Sequence, residues 1–180
     1  NISFRTLLNA ERFASSSSSL ITLYSATPDP SSTTGIIAGD ISSSGKFCDI
    51  LRATGIPKNG VLEGSGYAEM QGQEVFRKAV ESLSESGMKL LNACDVDVES
   101  IDWFIPHQAN IRIINKVAEK LSLPDSKVIK CVHKHANTSA ASIPLALNEG
   151  ISNGKIHFGD RLLLQGVGGG LTWGSILMDL

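Results

Sequence analysis

Residues Trp103 to Asn110 read WFIPHQAN, and residues His135 to Ser142 read HANTSAAS. We interpret both stretches in the same way: an apolar, strand-like run ends in a polar residue, and a helix begins after it. The polar residues at these two junctions are His107 and Asn137. Open α/β sheets bind ligands at strand ends. A neutral imidazole and a carboxamide aimed at one point would donate two hydrogen bonds, which suits a carbonyl oxygen that becomes negative during a reaction.

The rest of the chain alternates predicted strands with predicted helices, which indicates an α/β sheet with helices on both faces. Strands are predicted at 20–24, 35–38, 101–105, 128–132, 161–165 and 172–180, and helices at 69–93, 111–121 and 139–152. We expect Asn110 to cap the second helix and Thr138 or Ser139 to cap the third. Pro144 is tolerated only in the first turn of that helix. A turn region at 28–34 and a surface loop at 39–66 complete the expectation.

Composition is typical of a soluble globular protein, with 42% apolar and 19% charged residues among 180. The net charge of −2 gives no reason to propose a nucleic acid partner. No apolar run approaches the roughly 20 residues of a membrane helix. Three scattered cysteines predict a reducing compartment, no disulfide framework and no zinc site. Because the chain begins at Asn1 instead of Met, we expect a fragment or a processed product.

Sequence complexity and the pattern of apolar residues divide the chain into two segments. Residues 1–19 are poorly defined and contain the serine run Ser15–Ser19, which is typical of a loop or linker. This segment is the end of a preceding half or a connection. Residues 20–180 carry the strands and helices, so we predict that they form one domain.

Four motifs resemble those of β-ketoacyl-acyl carrier protein synthase III, a thiolase-like condensing enzyme. They are PHQAN (106–110), NTSAAS (137–142), GGGLTWGS (168–175) and MQGQEVFR (70–77). They stand in the family's order, and the close similarity covers roughly 68–180. The resemblance implies mainly the C-terminal half of a layered α-β-α-β-α fold. We therefore expect the chain to need the N-terminal half, or a second copy, to cover apolar surface.

The resemblance implies a decarboxylative Claisen condensation between an acyl-CoA starter and malonyl-acyl carrier protein, without a metal or organic cofactor. His107 and Asn137 would donate hydrogen bonds to the malonyl thioester oxygen, and Gly169 would help form the oxyanion hole for the acyl thioester. Asn110 resembles a residue of the pantetheine channel, and Arg112 matches an arginine at the carrier interface. The family's nucleophilic cysteine lies in the N-terminal half, so this chain alone is expected to be inactive.

A basic helix face supports the carrier prediction. Arg112, Lys116 and Lys120 recur every four residues. From His107 to His135 six Lys or Arg stand against two Asp or Glu, a formal local charge of +4. An acidic acyl carrier protein would be attracted to such a face, although a solvated helix surface explains the charge equally well. Ala136 and Val167 depart from the family, which usually has a glycine and an aromatic residue at these positions.

Other interpretations stay open at this point. His107 could be a structural histidine and Asn137 a capping residue, and spacing alone favours that. The Gly166–Gly170 loop could be a tight turn, whereas a dinucleotide loop is excluded because Leu171 stands where a third glycine is needed. The chain could be a non-catalytic fragment or pseudoenzyme that binds a partner or acyl carrier, or a thiolase-fold acyltransferase with another starter. The complete protein is expected to be a homodimer in the bacterial cytoplasm or a plastid-like organelle.

Overall fold

A computed structural model describes residues 22–25, 34–53, 55–64 and 66–180. The predicted segment 1–19 and almost all of the predicted turn region at 28–34 lie outside these ranges. Within them, no helix has both the length and the apolarity to cross a membrane.

The structure contains nine strands and four α-helices among the described residues. The strands are β1 (Thr22–Ser25), β2 (Gly35–Ser43), β3 (Leu51–Ala53), β4 (Ile56–Lys58), β5 (Val61–Glu63), β6 (Ala68–Met70), β7 (Trp103–Pro106), β8 (Arg161–Gly168) and β9 (Thr172–Asp179). The helices are α1 (Gly72–Ala93), α2 (Ile111–Lys120), α3 (Val132–His135) and α4 (Ser142–Ser152). Five strands form the main sheet in the order β1-β2-β9-β8-β7, and two small hairpin-like pairs, β3–β6 and β4–β5, stand apart from it.

The main sheet is mixed, and this fixes where its functional edge lies. β7 and β8 run parallel, with Pro106 opposite Gln165, whereas the other neighbours are antiparallel. A parallel pair needs a crossover, and residues 107–160 provide it through α2, α3 and α4. The carboxyl ends of β7 and β8 therefore lie at the same edge of the sheet.

Helices cover the two faces of the sheet, as the predicted α/β fold requires. Successive side chains of a strand point to opposite faces, so Leu163 packs in the core beneath α1 and α2 while Leu162 packs in the core beneath α4. Both leucines are fully buried. Each contributes about 2 kcal/mol of apolar burial. The α/β prediction is confirmed, and so are the predicted first two helices, whose apolar faces are buried.

A buried polar seam joins the sheet to α1. The Ser86 hydroxyl lies 2.8 Å from Asp40 Oδ2 and 2.8 Å from Ser175 Oγ. Gln165 Nε2 donates to Ser175 Oγ and to the Leu83 carbonyl, both at 2.8 Å. These contacts satisfy polar groups that burial would otherwise penalise.

The prediction of a surface loop at 39–66 is wrong. β2 continues to Ser43, and β3, β4 and β5 follow within the same range. Asp40 and Ser42 are buried on the α1 side of the sheet, where Ser86 and Lys89 contact Asp40. Polar residues at inward positions hid the alternation by which a strand is normally recognised.

Two predictions around the crossover are also wrong. Residues 128–132 form no strand: Val128 makes only an isolated bridge to Phe104, and α3 begins at Val132. The third helix begins at Ser142, after a 3-10 turn at Ser139–Ala141, and neither Thr138 nor Ser139 caps it with its side chain. Pro144 lies in the first turn of α4, which is where the sequence predicted that it is tolerated.

Candidate active site

His107 follows the last residue of β7 at the carboxyl edge of the sheet. Its backbone N–H donates a 2.7 Å hydrogen bond to the carbonyl of Gln165 on β8. The parallel pairing of β7 with β8 therefore extends one residue beyond the strand and fixes the backbone of His107. The side chain is half-buried, and burial lowers the pKa of His107 because a charged imidazolium is poorly solvated there. The ring is neutral at pH 7.

The His107 ring contacts the start of α4. Nδ1 lies 2.5 Å from Oγ of Ser142, the first residue of that helix. The backbone N–H of Gln108 donates to the same oxygen at 3.1 Å. Ser142 is 1% exposed. Ser142 was not among the predicted site residues, and the one signal that could have identified its role is its hydroxyl next to two alanines.

Gln108 holds the loop that carries His107. Its side-chain Nε2 donates to the carbonyls of Pro106 and Ile129, and its Oε1 accepts from the backbone N–H groups of Cys131 and Val132. The residue is fully buried. Because Oε1 takes the first N–H groups of α3, these groups cannot pair with a strand, which explains why the predicted strand at 128–132 does not form.

Asn137 lies in the segment between α3 and α4, and its side chain is exposed. Its Oδ1 accepts a 3.0 Å hydrogen bond from the backbone N–H of Ser139. His107 contacts Ser142, so the two predicted donors are both anchored on the segment 139–142. The carbonyl oxygen of the Asn137 amide is used in this anchor, which leaves the NH₂ group as the one to donate elsewhere.

An ion-pair cluster ties α3 to α4. Lys134 donates to Glu149 Oε1, and His135 Nε2 lies 3.6 Å from Glu149 Oε2. The hydrogen bond from Lys134, followed by one from Asn153, lowers the pKa of Glu149 to about 2. His133 and Lys134 are exposed residues of a helical turn.

Gly169 lies in the turn that joins β8 to β9, next to the closing pair Gly168 and Thr172. The parallel register places Pro106 opposite Gln165, so Gly168 stands three residues, roughly 10 Å, further along the same direction. Gly169 and His107 thus share the carboxyl edge of the sheet, although no contact joins them. A Cβ on Gly169 would lie 3.4 Å from the Leu51 carbonyl, in ordinary van der Waals contact with β3.

The predicted substrate- and carrier-binding residues lie on α2, directly after the His107 loop. Asn110 caps this helix as predicted, with Oδ1 accepting from the Arg112 N–H at 2.9 Å. The Arg112 guanidinium lies over the Phe76 ring, 5.4 Å from its centre, and the residue stays exposed. Lys116 is exposed and donates to Glu119 at 2.6 Å. The three residues therefore share one exposed region beside the candidate site.

The cysteines are poor nucleophiles or lie in another part of the fold. Burial raises the pKa values of Cys94, at the end of α1, and of Cys131, at the start of α3. Cys131 packs in the core beneath α4. Cys48 is exposed in the region that follows β2. Among the described residues, no group of three or more His, Cys, Asp or Glu side chains could hold a metal ion.

Comparisons with known proteins agree on one family. Residues 91–180, half of the chain, match the family described as 3-oxoacyl-[acyl-carrier-protein (ACP)] synthase III C terminal. A β-ketoacyl-[acyl-carrier-protein] synthase III of Rickettsia felis is 52% identical over 145 residues, which are 80% of this chain and 45% of the relative. A protein with the same name from Granulibacter bethesdensis is 47% identical over 146 residues, 81% of this chain and 45% of the relative.

Solved structures give the same result. The 3-oxoacyl-[acyl-carrier-protein] synthase III of Aquifex aeolicus is similar with a TM-score of 0.76 and 41% identity, over 83% of this chain and 46% of that chain. The Thermus thermophilus protein is similar with a TM-score of 0.74 and 34% identity, over 82% and 47%. The chain spans about half the length of the curated relatives it matches.

Proposed function

Because the chain belongs to the 3-oxoacyl-[acyl-carrier-protein] synthase III C-terminal family, we propose that it is the C-terminal portion of a decarboxylating condensing enzyme. The complete enzyme would join an acyl group from coenzyme A to malonyl-acyl carrier protein and so begin fatty acid synthesis. The observation that supports this most is His107, a neutral imidazole at the carboxyl edge of the sheet. Its Nδ1 is held by Ser142, so Nε2 is the nitrogen available to a substrate.

The proposed chemistry uses two hydrogen bonds at one oxygen. The bond between malonyl C2 and its carboxylate breaks, carbon dioxide leaves, and the electron pair becomes an enolate on the thioester. His107 Nε2–H and the Asn137 amide would donate to that enolate oxygen. In an earlier step the enzyme thiolate would attack the acyl-coenzyme A and release coenzyme A, which leaves the acyl group as an enzyme thioester. The enolate carbon then attacks this thioester, whose carbonyl oxygen would accept a hydrogen bond from the backbone N–H of Gly169, and the enzyme thiolate departs. Losing one such donor typically costs about 3 kcal/mol, or roughly 100-fold in rate.

The family resemblance implies that the nucleophilic thiolate would come from a cysteine of the N-terminal half. No cysteine of this chain fits that role. That half would also cover an apolar region of the main sheet. Cross-strand pairs put Ile36 opposite Met178 and Ile41 opposite Gly174, so these residues share the sheet face that carries α4. Ile36 and Ile41 are about half exposed, at 51% and 50%, and Ile176 on the same face is 36% exposed.

A cavity of about 420 Å³ lies in this uncovered region, between α4 and strands β2, β8 and β9. Its lining includes Ile41, Ile143, Leu164 and Ile176. An apolar cavity open to water is costly, and burying it would stabilise an association. The relatives are about twice as long as this chain, so the occupant proposed for this face is their N-terminal half.

The basic surface of α2 would receive the carrier. Arg112, Lys116 and Lys120 are exposed on this helix, and Asn110 at its start would line the pantetheine channel. Charge reversal at Arg112 or Lys116 is expected to raise KM for malonyl-acyl carrier protein and to weaken its salt dependence, while KM for the coenzyme A thioester stays unchanged. Reversal at Lys155, an exposed residue in the loop between α4 and β8, should change neither constant.

Decarboxylation of malonyl-acyl carrier protein tests the proposal. The assay uses this chain combined in trans with the N-terminal half of the Rickettsia felis relative, which we call the complemented protein. Activity should require both parts and fall about 100-fold in His107→Ala and in Asn137→Ala. The control His133→Ala changes an exposed histidine of α3 and should keep full activity. Equal activity in all variants would overturn the roles of His107 and Asn137, and no activity in the complemented protein would favour a chain that only binds a partner or carrier.

Assembly is tested by mass. Ile41→Asp together with Ile176→Asp should abolish complex formation with the N-terminal half, measured by light scattering, whereas Val61→Asp at another exposed position should not. The complete enzyme is further proposed to be a homodimer in a bacterial cytoplasm or a plastid-like organelle. That the reaction needs no metal or organic cofactor stays a prediction.

A further inference from the structure

Ser142 contacts two consecutive residues at the end of β7. Its Oγ lies 2.5 Å from His107 Nδ1 and 3.1 Å from the backbone nitrogen of Gln108. Ser142 is 1% exposed, so water does not compete for these contacts. A single buried hydroxyl therefore touches both the imidazole and the backbone next to it.

Counting hydrogens decides the direction of the His107 contact. A serine hydroxyl offers one O–H and two acceptor sites. The Gln108 N–H can only donate, so it occupies one acceptor site of Oγ. Among the described residues, His107 Nδ1 is the acceptor within hydrogen-bond distance of the Ser142 O–H. If Nδ1 carried the proton instead, the buried O–H would have no partner, which is unfavourable.

We propose that Ser142 is a positioning residue whose hydroxyl donates to His107 Nδ1 and thereby keeps the ring proton on Nε2. A histidine's tautomer is set by the hydrogen bond that its other nitrogen makes. This inference deepens the proposed function and rests on it for its catalytic meaning, since Nε2–H is the donor to the enolate oxygen. Which ring nitrogen of His107 carries the proton depends only on the contacts around Ser142.

The chemistry of the partner suits a neutral donor. A carboxylate at Nδ1 would stabilise a charged imidazolium. A hydroxyl carries no charge, and its oxygen can accept the backbone N–H while its hydrogen is donated to Nδ1. Burial also favours the uncharged ring, since the pKa of His107 is lowered. Ser142 begins α4, and Asn137 lies five residues before it. The same short segment thus sets the proton position of one donor and carries the other.

The test reads the tautomer directly in the complemented protein with 15N-labelled histidine rings. The chain has four histidines, and the His107 signals are those lost in His107→Gln. In the wild type, Nδ1 should have the chemical shift of an unprotonated ring nitrogen and Nε2 that of a protonated one. Ser142→Ala should give a mixture of tautomers and lower kcat for decarboxylation about tenfold with KM unchanged. Ser142→Thr, which keeps the hydroxyl, should restore both.

The outcomes separate this inference from the proposed function. A wild-type spectrum with the proton on Nδ1, or an unchanged tautomer in Ser142→Ala, overturns the role of Ser142 whatever the activity. The expected spectra without decarboxylation in any variant support that role and overturn the proposed function. If Ser142→Ala fails to fold, the wild-type and Ser142→Thr spectra decide the question.

Discussion

The backbone N–H of Cys131 donates a 2.8 Å hydrogen bond to the side-chain oxygen of Gln108. This bond crosses from the start of α3 to the loop after β7 and is one of four that the same amide makes. Both donors and both acceptor sites of the Gln108 side-chain amide are thereby satisfied in a fully buried position. The amide therefore fixes the loop of His107 against the segment that leads to Asn137.

Replacing Gln108 by Ala should destabilise this chain by about 3 kcal/mol or more. The change leaves the buried N–H of Cys131, the part-buried N–H of Val132 and two buried carbonyls without their partner. Each unsatisfied buried group costs about 1–3 kcal/mol. Urea unfolding measures the loss as a lower midpoint. The control Gln73→Ala removes an exposed amide of α1 and should stay within about 0.5 kcal/mol. Similar midpoints for the two variants would show that the four hydrogen bonds of the Gln108 amide do not stabilise the chain.

Sequence periodicity predicted the elements whose burial has a simple repeat. α2 has buried Ile113, Ile114 and Val117 on one face, and the helix cap at Asn110 follows from its position before that face. His107 was placed at a strand end because Pro106 closes an apolar run. The likeness to 3-oxoacyl-[acyl-carrier-protein] synthase III structures confirms the predicted thiolase-like fold. These features depend on local sequence and were therefore readable.

Features that depend on side chains distant in sequence were not readable. β2 contains the inward residue Asp40, which is acceptable because Ser86 and Lys89 of α1, 46 and 49 residues later, contact its carboxylate. The segment 128–132 has strand-like residues, but its last two backbone N–H groups donate hydrogen bonds to the side chain of Gln108, which is 23 and 24 residues away. The Ser142 contact with His107 spans 35 residues. No local pattern specifies such pairings.

Gly87→Ala should destabilise the chain by about 1 kcal/mol although alanine is the better helix former. The added Cβ would lie 2.7 Å from Gln165 Nε2 and 3.1 Å from Leu121 Cδ2. Gln165 cannot easily move away, because that nitrogen donates to Leu83 and Ser175. Overpacking costs about 1–3 kcal/mol, against a propensity gain of about 1 kcal/mol. The measurement is urea unfolding.

Gly72→Ala is the matched control in the same helix. No atom lies within 4 Å of a Cβ added at Gly72, the first residue of α1. The variant should be neutral or slightly more stable. Helix propensity alone predicts that both substitutions stabilise the helix. Equal stabilisation by Gly87→Ala and Gly72→Ala would therefore show that the contacts of Gly87 do not matter.

Ala136→Gly should stabilise the chain by about 1 kcal/mol. Ala136 ends α3 with φ 55° and ψ −162°, a conformation that is nearly confined to glycine. Strain of this kind costs about 1–3 kcal/mol, and the greater unfolded freedom of glycine offsets about 0.5–1 kcal/mol of the relief. The usual family residue at this position is glycine, as the resemblance implies. Thermal and urea unfolding should both show the gain.

Ala140→Gly controls for the general effect of glycine. Ala140 lies in the 3-10 turn at Ser139–Ala141 and has no positive φ, so this change should destabilise by about 0.5–1 kcal/mol. Opposite signs for the two substitutions are the expected result. If both destabilise equally, the backbone at Ala136 is not strained.

His107 should make the stability of the chain depend on pH on the acid side of neutrality. Burial lowers its pKa in the folded state below the value of about 6.5 in the unfolded chain. Between these two pKa values the unfolded chain binds more protons, so the free energy of unfolding rises with pH. The contribution of His107 to the free energy of unfolding is fully present above about pH 6.5 and is lost as the pH falls toward the folded pKa.

Urea unfolding at about pH 7.5 and about pH 5.5 checks this sign. The wild type should lose more stability between these conditions than His107→Gln, in which the buried titrating group is absent. His133→Gln removes an exposed histidine and should keep the wild-type difference. His135 and His157 are present in all three proteins, so their effects cancel in the comparison. An equal loss of stability in the wild type and in His107→Gln would mean that the imidazole is not desolvated. The neutral ring with its Nε2–H would then coexist with the charged imidazolium near neutral pH.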